Sequence, residues 1–310
     1  MLTLAVAAVA IASPHNRYGS SYWPNVTLTT QDGKQVKFYD DLIKGKIVVI
    51  DFFYTQCKDA CPLETARLRQ VQKDLGGRVG KDIFFLSISL DSKHDTPEIL
   101  HDYAEMYNAG PGWYFLTGKE VDITLLSKKL GLYSPDWGRD GHTPGLMIGN
   151  EPTGQWMRNA ASDNPRFLAI TIGDMLDSYK SAKIASAANY AQAPRLKMTK
   201  GQYIFASQCS ACHSVGHGDK IGPDLLGVTN ARSGKWLQEF IAEPDKFLDN
   251  KDPIATALYE RYRHVRMPNL RLAPEDVNSI VAFLKTQTGA HTPSTQAAHS
   301  TGGPLPGGHE

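Results

Sequence analysis

The sequence predicts an α/β domain, a mixed sheet with flanking helices, followed by a smaller all-α domain. Three observations carry this expectation. Apolar, β-branched runs alternate with helical patterns over the first part of the chain, and an antiparallel hairpin closes the series. Beyond Thr199 the strand signal disappears, and helical patterns with loops replace it. The four cysteines fall as two close pairs, Cys57 with Cys61 and Cys209 with Cys212. A disulfide framework would scatter its cysteines to staple distant loops, so two tight pairs far apart read as two separate chemical sites.

A chain of 310 residues with 41% hydrophobic content is long enough for two ordinary domains with real cores. Its net charge of +1 and the absence of any run of Lys and Arg give no case for nucleic acid or a polybasic membrane patch. Residues 1–19 open with the apolar run Leu2 to Ala12, broken by Ser13-Pro14-His15. That run is about half of the ~20 residues a spanning helix needs, and it matches the apolar core of a secretory signal. No Lys or Arg precedes it, so an N-terminal membrane anchor stays open beside an export signal; either places the chain in the periplasm.

Residues 20–180 form the α/β unit. Lys46 to Tyr54 reads as a strand covered on both faces, and Leu63 to Leu75 as a helix ended by Gly76-Gly77. Ile83 to Leu90 is a second buried strand, which makes a βαβ unit with a parallel pair. A helix from Pro97 to Tyr107, a strand from Trp113 to Leu116 and a helix from Val121 to Leu130 follow. Gly145 to Ile148 pairs with Gln155 to Arg158 as a hairpin, and a helix from Arg166 to Tyr179 closes the unit. Residues 181–198 are Ala-rich and read as a linker, residues 199–289 as the helical domain. Residues 290–310, with His291, His299 and His309, are rich in Gly, Pro, Ser and Thr and are expected to be disordered.

Cys209-Ser-Ala-Cys212-His213 is the attachment pattern of a c-type haem. Two thiols on one turn reach the two vinyl groups, and the adjacent imidazole falls under the iron. A zinc site would need two further soft ligands, and no second cysteine pair lies nearby. Gly201 and Phe205 precede the motif; Gly222-Pro223, Met267-Pro268 and a last helix from Pro274 to Leu284 follow it. Over this span the segment resembles class I cytochrome c. The resemblance implies that Met267 is the sixth iron ligand, with His217 and His264 as competitors, and that Pro223 packs near His213. Met/His ligation closes the iron to external ligands, so the haem would carry electrons.

Cys57 and Cys61 lie between a buried strand and a helix that Pro62 opens. The positive helix end is expected to lower the Cys61 pKa and favour a nucleophilic, metal-binding thiolate. His142, in the loop before the hairpin, is the candidate third ligand, because that loop falls at the carboxyl ends of the strands where ligands collect. Cys57, Cys61 and His142 would make a soft site suited to copper.

The segment resembles the SCO/SenC family of thioredoxin-like copper proteins. The matching residues are Phe53-Tyr-Thr55-x-Cys57-x-x-x-Cys61-Pro62, Ser89-Leu-Asp91 with Asp95-Thr96-Pro97, Leu116-Thr117-Gly118 and His142-Thr143. The resemblance implies copper binding by both cysteines and His142, and a part in assembling the copper centre of cytochrome c oxidase. Its partners would be the copper-centre subunit of the oxidase, or another periplasmic cysteine protein, and a redox protein that exchanges electrons with the haem. Two departures, Lys58 where the family has Pro and Pro144 after Thr143, point instead towards thiol chemistry. The alternative is therefore a haem-coupled thiol–disulfide oxidoreductase acting on a periplasmic protein without stoichiometric copper. Asp91 and Asp95 are open between a role at the site and a structural one; His94 and His101 read as surface residues.

Overall fold

The computed structural model describes residues 18–58, 60–133, 145–175 and 198–288. The expectations for His142, for most of the leader and linker, and for the tail lie outside the described residues. Among the described residues no helix is long and apolar enough to cross a membrane.

The strands are β1 (Thr27–Thr30), β2 (Gln35–Lys37), β3 (Ile47–Phe53), β4 (Ile83–Ser89), β5 (Trp113–Gly118), β6 (Leu146–Asn150) and β7 (Gln155–Asn159). They form one seven-stranded sheet in the order β2-β1-β5-β4-β3-β6-β7. β3, β4 and β5 run parallel, while β1 and β6 join their outer edges antiparallel. β3 is buried at every position, as its unbroken apolar run requires. Alternation along it sends Val49 and Phe53 to one face and Val48, Ile50 and Phe52 to the other.

Helices α1 (Cys61–Leu75), α2 (Pro97–Met106) and α4 (Pro165–Ile170) cover the first face through Leu68, Val71, Tyr103 and Leu168. α3 (Glu120–Lys129) covers the second through Ile123 and Leu126. The edge hairpin β1–β2 is an addition to the sequence reading. The described part of the expected helix, up to Met175, runs as α4 and then as a π-helical turn, Thr171–Met175, where β-branched Thr171 and Gly173 weaken the α ladder; residues 176–179 lie outside the described residues.

The second part is helical: α5 (Lys200–Ile204), continued by a π-helical turn to Cys209, then α6 (Val228–Ala231), α7 (Gly234–Ala242), α8 (Pro244–Asp249), α9 (Pro253–Arg261) and α10 (Pro274–Lys285). Ile204, Phe205, Leu237, Ile241, Val277, Ile280 and Leu284 form its core. α5 crosses α10 so closely that a Cβ at Gly201 would lie 1.9 Å from the Ser279 carbonyl oxygen. We predict that Gly201→Ala destabilises this domain by about 1–3 kcal/mol, the usual cost of overpacking. Urea unfolding followed by circular dichroism of the full chain measures it.

The loop between Ser214 and Leu226 is organised by one buried carboxylate. Asp224 accepts from Ser214 Oγ (2.9 Å), Gly216 N (2.8 Å), Gly218 N (2.6 Å) and Leu226 N (2.8 Å). Burial pushes its pKa up, but these hydrogen bonds outweigh burial and bring it from 3.8 down to about 2. A depressed carboxylate contributes stability that is complete above its unfolded pKa and lost as the pH falls through its folded one. We therefore predict that Asp224→Asn costs about 1–3 kcal/mol at pH 7. The variant should also lose less stability than the parent between pH 4 and pH 2, measured by the same unfolding experiment.

Candidate functional site

The turn after α5 brings the haem-motif residues together. His213 N donates to the Cys209 carbonyl at 2.9 Å, and Cys212 N donates to the same oxygen at 3.1 Å. His213 Nδ1 lies 2.9 Å from the carbonyl oxygen of Pro223. A carbonyl only accepts, so Nδ1 carries the proton and Nε2 keeps its lone pair for a metal. Burial lowers the His213 pKa and holds the ring neutral. A Cβ at Gly222 would come within 2.7 Å of that ring, so only glycine lets the loop back it.

Cys209, Cys212, His213 and Met267 line one largely apolar cavity with Phe205, Leu237, Ile241, Ile280 and Leu284. The two thiols, the imidazole with a ligating nitrogen and the thioether all meet the same apolar space. This donor set fits a haem c. His217 and His264 are exposed and do not line the cavity, and His264 Nε2 lies 2.7 Å from Glu260.

The other site sits at the carboxyl end of β3. Asp95 is buried and accepts from Thr55 N at 3.1 Å and from the hydroxyls of Thr55 and Ser89. It thus fixes the loop that leads to Cys57, a structural role. Asp91 instead pairs with exposed His94, and His101 lies at the surface near Asp32 and Glu105. Cys57 N donates to the Tyr54 carbonyl at 3.2 Å, and Cys61 opens α1. The two thiols are hydrogen-bonded neighbours, and they are 4% and 0% exposed respectively.

The expected low pKa at Cys61 is overturned. Burial raises it well above the ordinary thiol value, and Cys57 and Glu64 push it further in the same direction. The dipole of a helix end is worth about 0.3–1 kcal/mol at an exposed site. Removing a charge from water costs far more. β6 pairs Leu146 with Asp51 of β3, so Gly145 enters the sheet at the dithiol end.

The two sites adjoin. Ala211, Cys212, Ile221 and Val265 pack against the apolar cluster that contains Cys57, Cys61, Tyr103 and Tyr107. Burial raises the Tyr107 pKa, and Cys212, Cys61 and Cys57 raise it further. Lys58 reaches across to Asp249 at 3.7 Å. Sequence reasoning missed Arg67, a residue only 3% exposed. One signal was available: Leu63, Arg67 and Val71 recur at one-turn spacing, which puts a charge on the apolar face of α1.

A SCO1/SenC family model matches residues 15–143, and a cytochrome c family model matches residues 198–288. The chain is 36% identical over 93 residues to the SCO1 protein homolog of Bacillus subtilis, 30% of this chain and 47% of that protein. Among solved structures it is similar to a SCO1/SenC family lipoprotein of Bacillus anthracis, with 28% identity and a TM-score of 0.43, over 50% of this chain and 96% of that one. It is also similar to copper-bound ScoI of Bradyrhizobium japonicum, with 25% identity and a TM-score of 0.40, over 47% of this chain and 94% of that one. The chain spans about half the length of the curated relatives it matches, from 47% to 53% for the first three. Residues 15–143 thus match the SCO1/SenC family and residues 198–288 match cytochrome c, a domain that implies haem c.

Proposed function

We propose that this chain is a periplasmic copper-binding and thiol-redox protein that assists assembly of the copper centre of cytochrome c oxidase. In this reading its haem passes electrons to the Cys57/Cys61 site. The observation that carries it is the packing of the haem-attachment segment, Ala211 and Cys212, onto the cluster that holds both thiols. Electron exchange between two centres requires such proximity, and a chain with independent domains would not supply it.

Bound haem supplies one electron per cycle, which suits the reduction of Cu(II) to Cu(I). A disulfide between Cys57 and Cys61 needs two electrons and two protons, and therefore two cycles. Cys57 and Cys61 are soft donors, and the third is His142, three residues before Gly145 in the sequence. The Lys58 ammonium lies 3.7 Å from Asp249 on the exposed rim of the site. Tyr107 and Tyr103, with ring centroids 4.9 Å apart, fill the space beside the thiols and exclude water from it.

Copper titration of the reduced holo-protein is expected to give one tight site per chain. Loss of a second-layer partner already costs a metal site 10–100-fold, so Cys57→Ser and His142→Ala should each weaken binding by about 100-fold or more. If Cys57→Ser abolishes tight binding while His142→Ala leaves it intact, the three-ligand site is wrong. If the reduced protein binds no copper but its dithiol reduces a partner's disulfide, the chain is the thiol oxidoreductase instead.

A further inference from the structure

The dithiol is enclosed, and what encloses it includes the second domain. Cys57 and Cys61 are almost wholly buried, and the cluster around them is covered by Ala211, Cys212, Ile221 and Val265. A protein that takes copper from these sulfurs, or exchanges a disulfide with them, must touch them. Among the described residues, Cys57 and Cys61 present almost no surface to such a partner.

Polar contacts hold the cover at separate points. Arg67 lies on the helix that Cys61 opens, and its guanidinium donates in two directions. Nη1 donates to the Ser162 carbonyl within the first domain at 2.7 Å, and Nη2 to the Ser207 carbonyl, two residues before Cys209. Arg67 therefore ties the dithiol helix directly to the haem-bearing turn. Arg263 holds a second point: its Nη1 donates to the Glu105 carbonyl at 2.9 Å and to Asn108 Oδ1 at 2.8 Å. That contact sets a cation at the C-terminal end of α2, where the helix dipole favours it. The Lys58–Asp249 pair lies on the exposed rim and adds little.

We propose that the cytochrome domain is a releasable cap on the Cys57/Cys61 dithiol, and that Arg67 is the positioning residue that latches it. Closed, the site lies against the haem-bearing turn, where its Cu(II) can take one electron or its disulfide two electrons and two protons in two cycles; open, it faces a partner. Electron input and partner access are then mutually exclusive, so a partner meets the site only after the haem has left it. Polar tethers suit this use, because Arg67 and Arg263 regain water when they let go, which leaves only the small apolar contact of Ala211, Cys212, Ile221 and Val265 to separate. The functional half of the inference rests on the electron-transfer reading above; the cap itself does not.

The test uses the full-length holo-protein with Cys57 and Cys61 reduced. Cys209 and Cys212 are consumed by the haem thioethers, so a bulky polyethylene-glycol maleimide reports on the dithiol alone. The parent should react slowly. Arg67→Gln, which loses a charged hydrogen bond, should react about 10-fold faster or more. Arg263→Ala, which removes an exposed residue from the opposite rim, should also react faster. In the same variants, oxidation of the reduced haem by site-bound Cu(II) should slow. A merely structural role would not move these two rates in opposite directions. Unchanged maleimide rates in both variants would overturn the cap. If Arg67→Gln does not fold, an unchanged rate in Arg263→Ala overturns it alone. Protected thiols with no haem oxidation in the parent would leave the cap standing and sink the electron-transfer reading.

Discussion

Burial of the Cys57/Cys61 pair beneath the haem-attachment segment is the constraint on which the rest of the structure turns. It explains why Cys61 is held as a neutral thiol despite opening a helix: the nearest dipole cannot offset the loss of water. It explains why Tyr103 and Tyr107, both almost fully buried, fill the adjoining space. It also brings the segment that matches cytochrome c against the one that matches SCO1/SenC.

Each centre is held by polar groups buried behind it. Asp95 clamps the loop before Cys57, and Asp224 gathers the amides of the loop that presents Pro223 to His213. In both cases a carboxylate satisfies several donors at once, which makes burying its charge tolerable. Arg67 follows the same logic across the domain boundary. Its two carbonyl acceptors come from different domains, so its satisfaction depends on their contact. That dependence makes Arg67 informative about the assembly, beyond the fold of either part.

The sheet strands β3 to β7 were legible because their runs are long, apolar or paired by a clear turn. The hairpin β1–β2 was not, since Thr27–Thr30 and Gln35–Lys37 are short, polar and seated at an edge. The haem motif was legible because covalent attachment demands a fixed spacing, and Met267 and Pro223 fall at its cavity and its imidazole. The Cys61 pKa was misjudged because a sequence shows the helix end and hides the burial. The contact between the domains left almost no trace: Ser207, Asn108 and Arg263 belong to no motif. Arg67 alone was readable, as a charge on the apolar stripe of α1.

The central claim is that the haem serves the dithiol of its own chain. Its most direct test is the concentration dependence of electron transfer from reduced haem to Cu(II) held at the Cys57/Cys61 site, followed by the haem absorbance in a stopped-flow instrument. Intramolecular transfer predicts a first-order rate that does not change with protein concentration and that vanishes in the Cys57→Ser, Cys61→Ser double variant. A rate that rises in proportion to protein concentration, or that survives loss of both thiols, would contradict the account.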